Sequence, residues 1–255
     1  MDLEDEVKKV YRWIAKIGNL GLRVLWYILH FVVRICYFAH GTARVLESYL
    51  ISCGLLKKYK DLNLRNLQYL AIVVESEEAY QTPKVIELLQ WLATIGVKHV
   101  CLYDMEGVLK KSEEAILEKL SNATLFKVAG ENDSLLDKEH IILEFASLTD
   151  GKEAVAKAAN LLFLKYFKSG NLGGDEEEPI FTEPRVAEAI GAIGCPGPDP
   201  DLLLVYGPAR CHLGFPPWRI RYTEIVHMGP LKSMKYGSLI KAIYKFTTVH
   251  QNYGT

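Results

Sequence analysis

Apolar and polar positions change their period along the chain. Residues 20–39 read LGLRVLWYILHFVVRICYFA, about twenty nearly continuous apolar positions, the length a bilayer-crossing helix needs. Arg23, His30 and Arg34 interrupt the run, and a charge at a bilayer centre costs on the order of 3 kcal/mol. At about 100° per residue, Lys9, Arg12, Lys16, Arg23, His30, Arg34 and Arg44 fall on one stripe about 100° wide. Trp13, Ile17, Leu20, Val24, Ile28, Phe31, Ile35 and Phe38 point elsewhere. One helix from about residue 7 to 48 would be roughly 60 Å long, about twice the hydrocarbon thickness. Two placements fit: in the headgroup plane with the basic stripe toward anionic lipid, or a tilted span with Arg23 and Arg34 snorkelling. Trp26, Tyr27, Phe31 and Phe38 supply aromatic membrane contacts in either. A buried helix of a soluble core is the third alternative. The first residues are acidic (Asp2, Glu4, Asp5, Glu6) and no small-x-small site follows, so the pattern is not a cleavable signal peptide.

After a hinge-like stretch at 41–61, short apolar runs alternate with amphipathic ones. Strands are predicted at 67–74, 98–103, 125–129, 141–146, 201–206 and 221–226. Helices are predicted at 83–95 (Pro83 in the first turn, Gly96 as stop), 112–120 (Ser112 as cap), 150–167 (Asp150 as cap) and 231–249. Fully apolar strands alternating with helices imply an α/β domain with a mostly parallel sheet covered on both faces. The domains expected are a membrane-associated segment with its hinge, 1–60, and an α/β body, 61–255. The acidic, glycine-rich stretch 170–179 is a solvated loop or a lid.

Composition narrows the function. With 255 residues, 49% of them apolar, and a net charge of −1, the chain is no disordered protein and no general nucleic-acid binder. Its five cysteines form no C-x-x-C pair, which removes the usual structural zinc pattern. G-x-G-x-x-G after the first strand, G-x-x-x-x-G-K-[ST] and G-x-S-x-G are all absent. Ligands of open α/β sheets bind at the carboxyl ends of the strands. The polar residues expected there are Glu75, Ser76, Glu77, Glu78, Asp104, Glu106, Arg210, His212 and Glu224. Carboxylates could hold Mg²⁺ if a diphosphate supplied the remaining ligands, but GPARCHLGFPPW offers one arginine, and the two prolines of its P-P pair remove N–H donors. Asp104 reads better as closing a turn, His212 as a loop or core residue, and Cys211 has no adjacent base.

Three segments carry a family resemblance: 70–111 (LAIVVESEEAYQTPKVIELLQWLATIGVKHVCLYDMEGVLKK), 198–228 (PDPDLLLVYGPARCHLGFPPWRIRYTEIVHM) and QNYG at 251–254. Together they resemble the accessory, Nogo-B-receptor-type subunits of eukaryotic cis-prenyltransferases, including plant cis-prenyltransferase-binding and rubber-transferase bridging proteins. The resemblance implies the cis-prenyltransferase (undecaprenyl diphosphate synthase-like) fold. Catalytic members carry H-x-x-x-I/V-x-D-G-N-x-R-W after the first strand, its aspartate working with Mg²⁺ and the allylic diphosphate. Here Glu75 stands at the aspartate's place, and Ser76, Glu77 and Glu78 replace the diphosphate loop. Near 4 Å and at an effective dielectric of about 20, each added like charge would oppose a diphosphate by roughly 4 kcal/mol. The later stretch R-x-[SG]-G-E-x-R-x-S-N-F is lost: Val205 and Cys211 take the arginine places and Ala209 the glutamate's. Glu224 matches the family's carboxylate, a metal-ligand candidate. The family's accessory subunits end in R-x-G, which the resemblance places at the partner's active site; here the segment is Asn252, Tyr253, Gly254.

The resemblance therefore implies a non-catalytic subunit, inactive alone, that anchors a catalytic cis-prenyltransferase at the endoplasmic reticulum membrane with its body in the cytosol. The heterodimer or higher assembly would condense isopentenyl diphosphate onto an allylic diphosphate, with Mg²⁺ held mainly by the catalytic partner. Its product would be a dolichol precursor serving protein glycosylation, or rubber-like polyisoprene. Trp218, Arg219, Arg221 and Glu224, with the last helix, are the expected interface. A self-sufficient homodimeric enzyme and a membrane receptor or scaffold binding a protein ligand are the alternatives.

Overall fold

The computed structural model describes residues 3–126, 140–168, 182–193 and 197–249. The chain divides into two compact units, Met1–Leu55 and Leu56–Thr255. The first is one continuous helix, α1 (Leu3–Ser52), so the hinge expected from residue 41 begins instead after residue 52. Within α1 a 47-residue stretch, Glu6–Ser52, is long and apolar enough to cross a membrane by length and composition.

The second unit is built on six strands: β1 (Tyr69–Val74), β2 (His99–Tyr103), β3 (Ala123–Leu125), β4 (Ile141–Ala146), β5 (Leu202–Tyr206) and β6 (Glu224–Gly229). Their order is β3-β4-β2-β1-β5-β6, and every pairing is parallel. Between them run α2 (Ser76–Ala79), α3 (Thr82–Ile95), α4 (Val108–Lys111), α5 (Glu113–Lys119), α6 (Lys152–Lys168), α7 (Glu183–Ile193) and, after β6, α8 (Tyr236–Thr248). Pro83 sits in the first turn of α3, and Gly96 ends the helix in the left-handed region at φ 96°. Ser112 occupies the cap position of α5 without a side-chain hydrogen bond. Asp150 caps a turn just before α6 and not α6 itself: Ser147 and Asp150 form a reciprocal capping box around Leu148–Asp150. Strand β3 ends at Leu125, and residues 127–129 of the expected strand, like the 170–179 loop, lie outside the described residues.

Period-2 alternation sorts the strands into two faces. Leu70, Ile72, Val100, Leu102, Leu143 and Leu204 pack with α3, α5 and α8 through Leu88, Leu92, Ile116, Leu239 and Ile243. Tyr69, Ala71, Val73, Cys101, Tyr103, Leu203 and Val205 face the other way, covered by Phe215 with Leu213 and Ile220. Helices α6 and α7 share a smaller core of Ala158, Leu162, Ala189 and Ile190, against which Trp218 packs.

The second face also holds a buried ion pair. Arg219, 2% exposed, donates to Glu144 through Nη2 at 2.8 Å and Nη1 at 3.3 Å, and to the Pro198 carbonyl at 2.9 Å. The Tyr69 hydroxyl donates to the same carboxylate, and the guanidinium lies 5.8 Å from the Tyr69 ring centroid and 5.7 Å from that of Phe215. Burial pushes Glu144 up, but Arg219 and the hydroxyl and thiol donors outweigh it and hold the carboxyl below its ordinary range. Gly197 donates its N–H to Glu144, and a Cβ there would collide with both partners.

Two outcomes follow for stability. Replacing Arg219→Met leaves a buried carboxylate unpaired and costs about 3–5 kcal/mol in urea unfolding, whereas Glu144→Leu combined with Arg219→Met costs less than that single change. Because Glu144's folded pKa lies below its unfolded one, its contribution is complete above the ordinary carboxylate range and is lost as pH falls through the folded value. Glu144→Gln therefore flattens the acid limb of stability against pH.

Candidate functional site

The carboxyl ends of β1, β2, β4 and β5 define the end of the sheet where a ligand would bind. The loop leaving β1 turns at once into the four-residue helix α2, with Glu75 at its N-cap. Glu75 donates its N–H to the Tyr206 carbonyl at 2.9 Å, prolonging the β1–β5 ladder. The hydroxyl of Ser76 accepts from the Glu106 N–H at 3.2 Å and lies 3.5 Å from Asp104 Oδ2. Glu78 Oε2 accepts the Leu231 N–H at 2.6 Å, tying α2 to the turn before α8. Glu77 is exposed.

Asp104 is fully buried and closes the turn after β2, as its position in the sequence implies. Its Oδ2 accepts the Val108 N–H and its Oδ1 the Leu109 N–H, each at 2.9 Å, capping the short helix α4. Asp150, beyond β4, is held by its own capping box and by Lys110 at 3.1 Å. The segment 207–216 folds back over β2. There the Tyr103 hydroxyl donates to the Leu213 carbonyl at 3.3 Å, and burial pushes that phenol up to about 12. Gly214, at φ +84°, passes so close that a Cβ would lie 3.1 Å from the Tyr103 oxygen. Val205 is 1% exposed inside the second face, while Ala209 and Cys211 are exposed on the loop with Arg210, and His212 is half-buried beneath them.

Two expected placements change. Glu224 begins β6, level with Leu202, whereas Gly229 pairs with Tyr206 at the carboxyl end. At about 3.3 Å per residue Glu224 is roughly 16 Å from that end, where Glu75 sits, and its carboxylate lies 3.9 Å from Lys245 of α8. It cannot join Glu75 in one metal site within a single chain. The second change is at the expected interface. Arg219 points inward to Glu144 because burial with a carboxylate, a carbonyl and two rings satisfies most of its donors, and Trp218 packs on α6 and α7. Arg221 is exposed and paired with Glu183, which raises its pKa. The Asn252, Tyr253, Gly254 segment lies outside the described residues.

The donor set does not fit a Mg²⁺ ion. Among the described residues no group of three or more His, Cys, Asp or Glu is arranged to hold a metal. Glu78, Asp104 and Asp150 are already acceptors for the chain's own donors. The sequence missed the Tyr69–Glu144–Arg219 cluster, although one signal was available: Glu144 is a lone charge in the apolar strand IILEFA.

No family model matches the chain. Dehydrodolichyl diphosphate synthase complex subunit NUS1 of Homo sapiens is 24% identical over 200 residues, 72% of this chain and 64% of that protein. The Mus musculus subunit is 25% identical over 214 residues, covering 75% and 68%, and that of Schizosaccharomyces pombe 23% over 212, covering 73% and 76%. The chain is similar to Nus1-type subunits. It spans less than two thirds of the human subunit's length. Among solved structures, lavandulyl diphosphate synthase from Lavandula x intermedia, in complex with dimethylallyl diphosphate, superposes with a TM-score of 0.52 at 14% identity, covering 74% of this chain and 99% of that one. That likeness shows the fold alone, and the expected α/β fold class is the one observed. At the carboxyl end of the sheet, Asp104 and Glu78 serve the chain's own structure.

Asp104→Ala removes two backbone caps at once and is expected to cost about 2 kcal/mol or more, read as a lowered thermal midpoint. Asp104→Asn keeps one acceptor and loses less. A metal-ligand role would instead make the loss depend on added Mg²⁺.

Proposed function

We propose that this chain is the non-catalytic accessory subunit of a heteromeric cis-prenyltransferase, a complex of the dehydrodolichyl diphosphate synthase type. The observation that carries the reading is the loop after β1. Where the resemblance puts a diphosphate loop, the chain has the helix α2, with Glu75, Glu77 and Glu78 clustered there and Ser76 and Glu78 hydrogen-bonded to neighbouring turns. Extra negative charge and occupied acceptors both oppose an incoming diphosphate. Similarity to Nus1-type subunits over about 70% of the chain supports the same reading.

In this reading the catalytic partner holds Mg²⁺ and the isopentenyl and allylic diphosphates. This chain supplies a membrane anchor through α1, at the endoplasmic reticulum with the body in the cytosol, and brings the 252–254 segment to the partner's active site. The product serves dolichol-dependent glycosylation or is rubber-like polymer. The docking face is the β6 side of the sheet. Strand β6 is an edge strand with Ile225 exposed, and Tyr222 just before it is exposed as well. Uncovered edges with apolar side chains invite pairing or burial. Arg221 stands at the rim of this face and Arg219 supports it from inside.

The test is reconstitution. A cognate catalytic subunit gains isopentenyl transfer at least tenfold when this chain is added, and this chain alone turns over nothing. No gain with any cognate subunit, or turnover by this chain unaided, overturns the proposal. Ile225→Lys lowers co-purification with the partner. Asn252→Arg, which restores a charge-assisted donor, raises the turnover of the pair without changing its assembly.

A further inference from the structure

We propose that α1 lies in the plane of a bilayer surface, its basic stripe seated on anionic phospholipid headgroups, and does not cross the bilayer. The inference rests on the reading of α1 as the membrane-binding element and commits it to one geometry. Four observations carry it.

The first is charge. Between Glu6 and Glu47 there is no Asp or Glu, while Lys8, Lys9, Arg12, Lys16, Arg23, Arg34 and Arg44 lie in that interval, all within one sector of the helix. A one-signed stripe on an amphipathic helix matches an anionic lipid surface.

The second is the spacing of those charges. The longest stretch of α1 between two Lys or Arg residues is 24–33, about half of the roughly twenty residues a span needs. The twenty-residue window from 24 to 43 contains a single Lys or Arg, and that residue is Arg34, the eleventh of the twenty. Sliding the window one residue either way admits Arg23 or Arg44 as a second charge. Every spanning register thus buries an arginine at mid-depth or two arginines on one face.

The third is the reach of the apolar face. Val7, Val10 and Ile14 near one end and Leu46 near the other are as exposed as the residues between them. A span would draw about twenty residues of this 50-residue helix into hydrocarbon and leave the remaining apolar positions in water. An in-plane helix places the whole face in lipid.

The fourth is local. Arg34 shares a groove with Trp26, Tyr27, His30 and Phe31, and Arg23 shares one with Asn19, Leu22, Trp26 and Tyr27. The Trp26 and His30 rings meet edge-on at 4.0 Å between centroids. Trp26 and Tyr27 fall at the two borders of the basic stripe, the level at which amphipathic rings meet headgroups.

The experiment is cell-free synthesis of the full chain, carrying an N-terminal epitope tag, with preformed phosphatidylcholine vesicles with or without phosphatidylserine. The expected result is flotation that depends on phosphatidylserine, weakens as salt is raised, and leaves both tag and body open to added protease. Arg23→Gln lowers partitioning about fivefold, and Arg23→Gln with Arg34→Gln roughly thirtyfold, at unchanged helix content by circular dichroism. A tag protected from protease while the body is cut, with binding unchanged or improved in the double variant, is a span; it overturns this inference and leaves the anchor reading standing. Flotation that ignores phosphatidylserine also overturns it. No flotation with either vesicle overturns the anchor reading as well.

Discussion

Asp104 and Glu78 govern what the carboxyl end of the sheet can do, because each carboxylate is bonded to backbone N–H groups of the chain itself. Asp104 caps α4 with both oxygens from a fully buried position, and Glu78 reaches across to Leu231. Releasing either group to bind a ligand would leave donors without their partner, at about 1–3 kcal/mol for each buried one. The same contacts draw α2, α4 and the turn before α8 together around the end of β1. Among the described residues, the positions that a diphosphate loop would occupy thus hold acceptors that stitch neighbouring turns together.

The two faces of the sheet solve different problems. The face under α3, α5 and α8 is filled by Leu, Ile and Val and needs nothing beyond apolar packing. On the opposite face a larger proportion of the residues are aromatic, with Tyr69, Tyr103 and Phe215 around the Glu144–Arg219 pair. A buried pair of this kind adds little net stability over a matched apolar pair, yet it fixes geometry. It also holds Gly197 and Pro198, the approach to β5, against the middle of β4. Trp218, one residue away, is thereby set against α6 and α7.

The sheet was legible because its strands are short, continuous apolar runs between helix caps, and β1, β2, β4 and β5 lie within two residues of the ranges read from the pattern. Strand β6 was placed three residues early because Arg221, Tyr222 and Thr223 alternate like a strand but serve as the connection from the Pro217–Arg219 turn. Helix α7 escaped prediction because Gly191 weakens its propensity and its apolar stripe makes sense only against α6. Asp104 could be read as a turn-closing residue from its place after a strand. The inward course of Arg219 could not, because its partner Glu144 is 75 residues distant in sequence. Glu224 misled for a simpler reason: motif matching gives an identity but not the end of the strand at which the residue stands.

A net charge of −1 conceals how unlike the parts of this chain are. Residues 7–46 contribute seven positive charges and no negative ones, so the remaining residues together carry −1 − 7 = −8. Between Glu6 and Glu47 the helical segment carries no acid, which leaves its middle uniformly basic. At physiological ionic strength charges more than about 8 Å apart are largely screened. A surface therefore responds to the local stripe and not to the total. The basic stripe and the acidic end of β1 are then independent electrostatic features of one chain: in the readings proposed above, the first draws a helix toward an anionic surface and the second opposes an anionic ligand. That division fits the accessory-subunit reading proposed above.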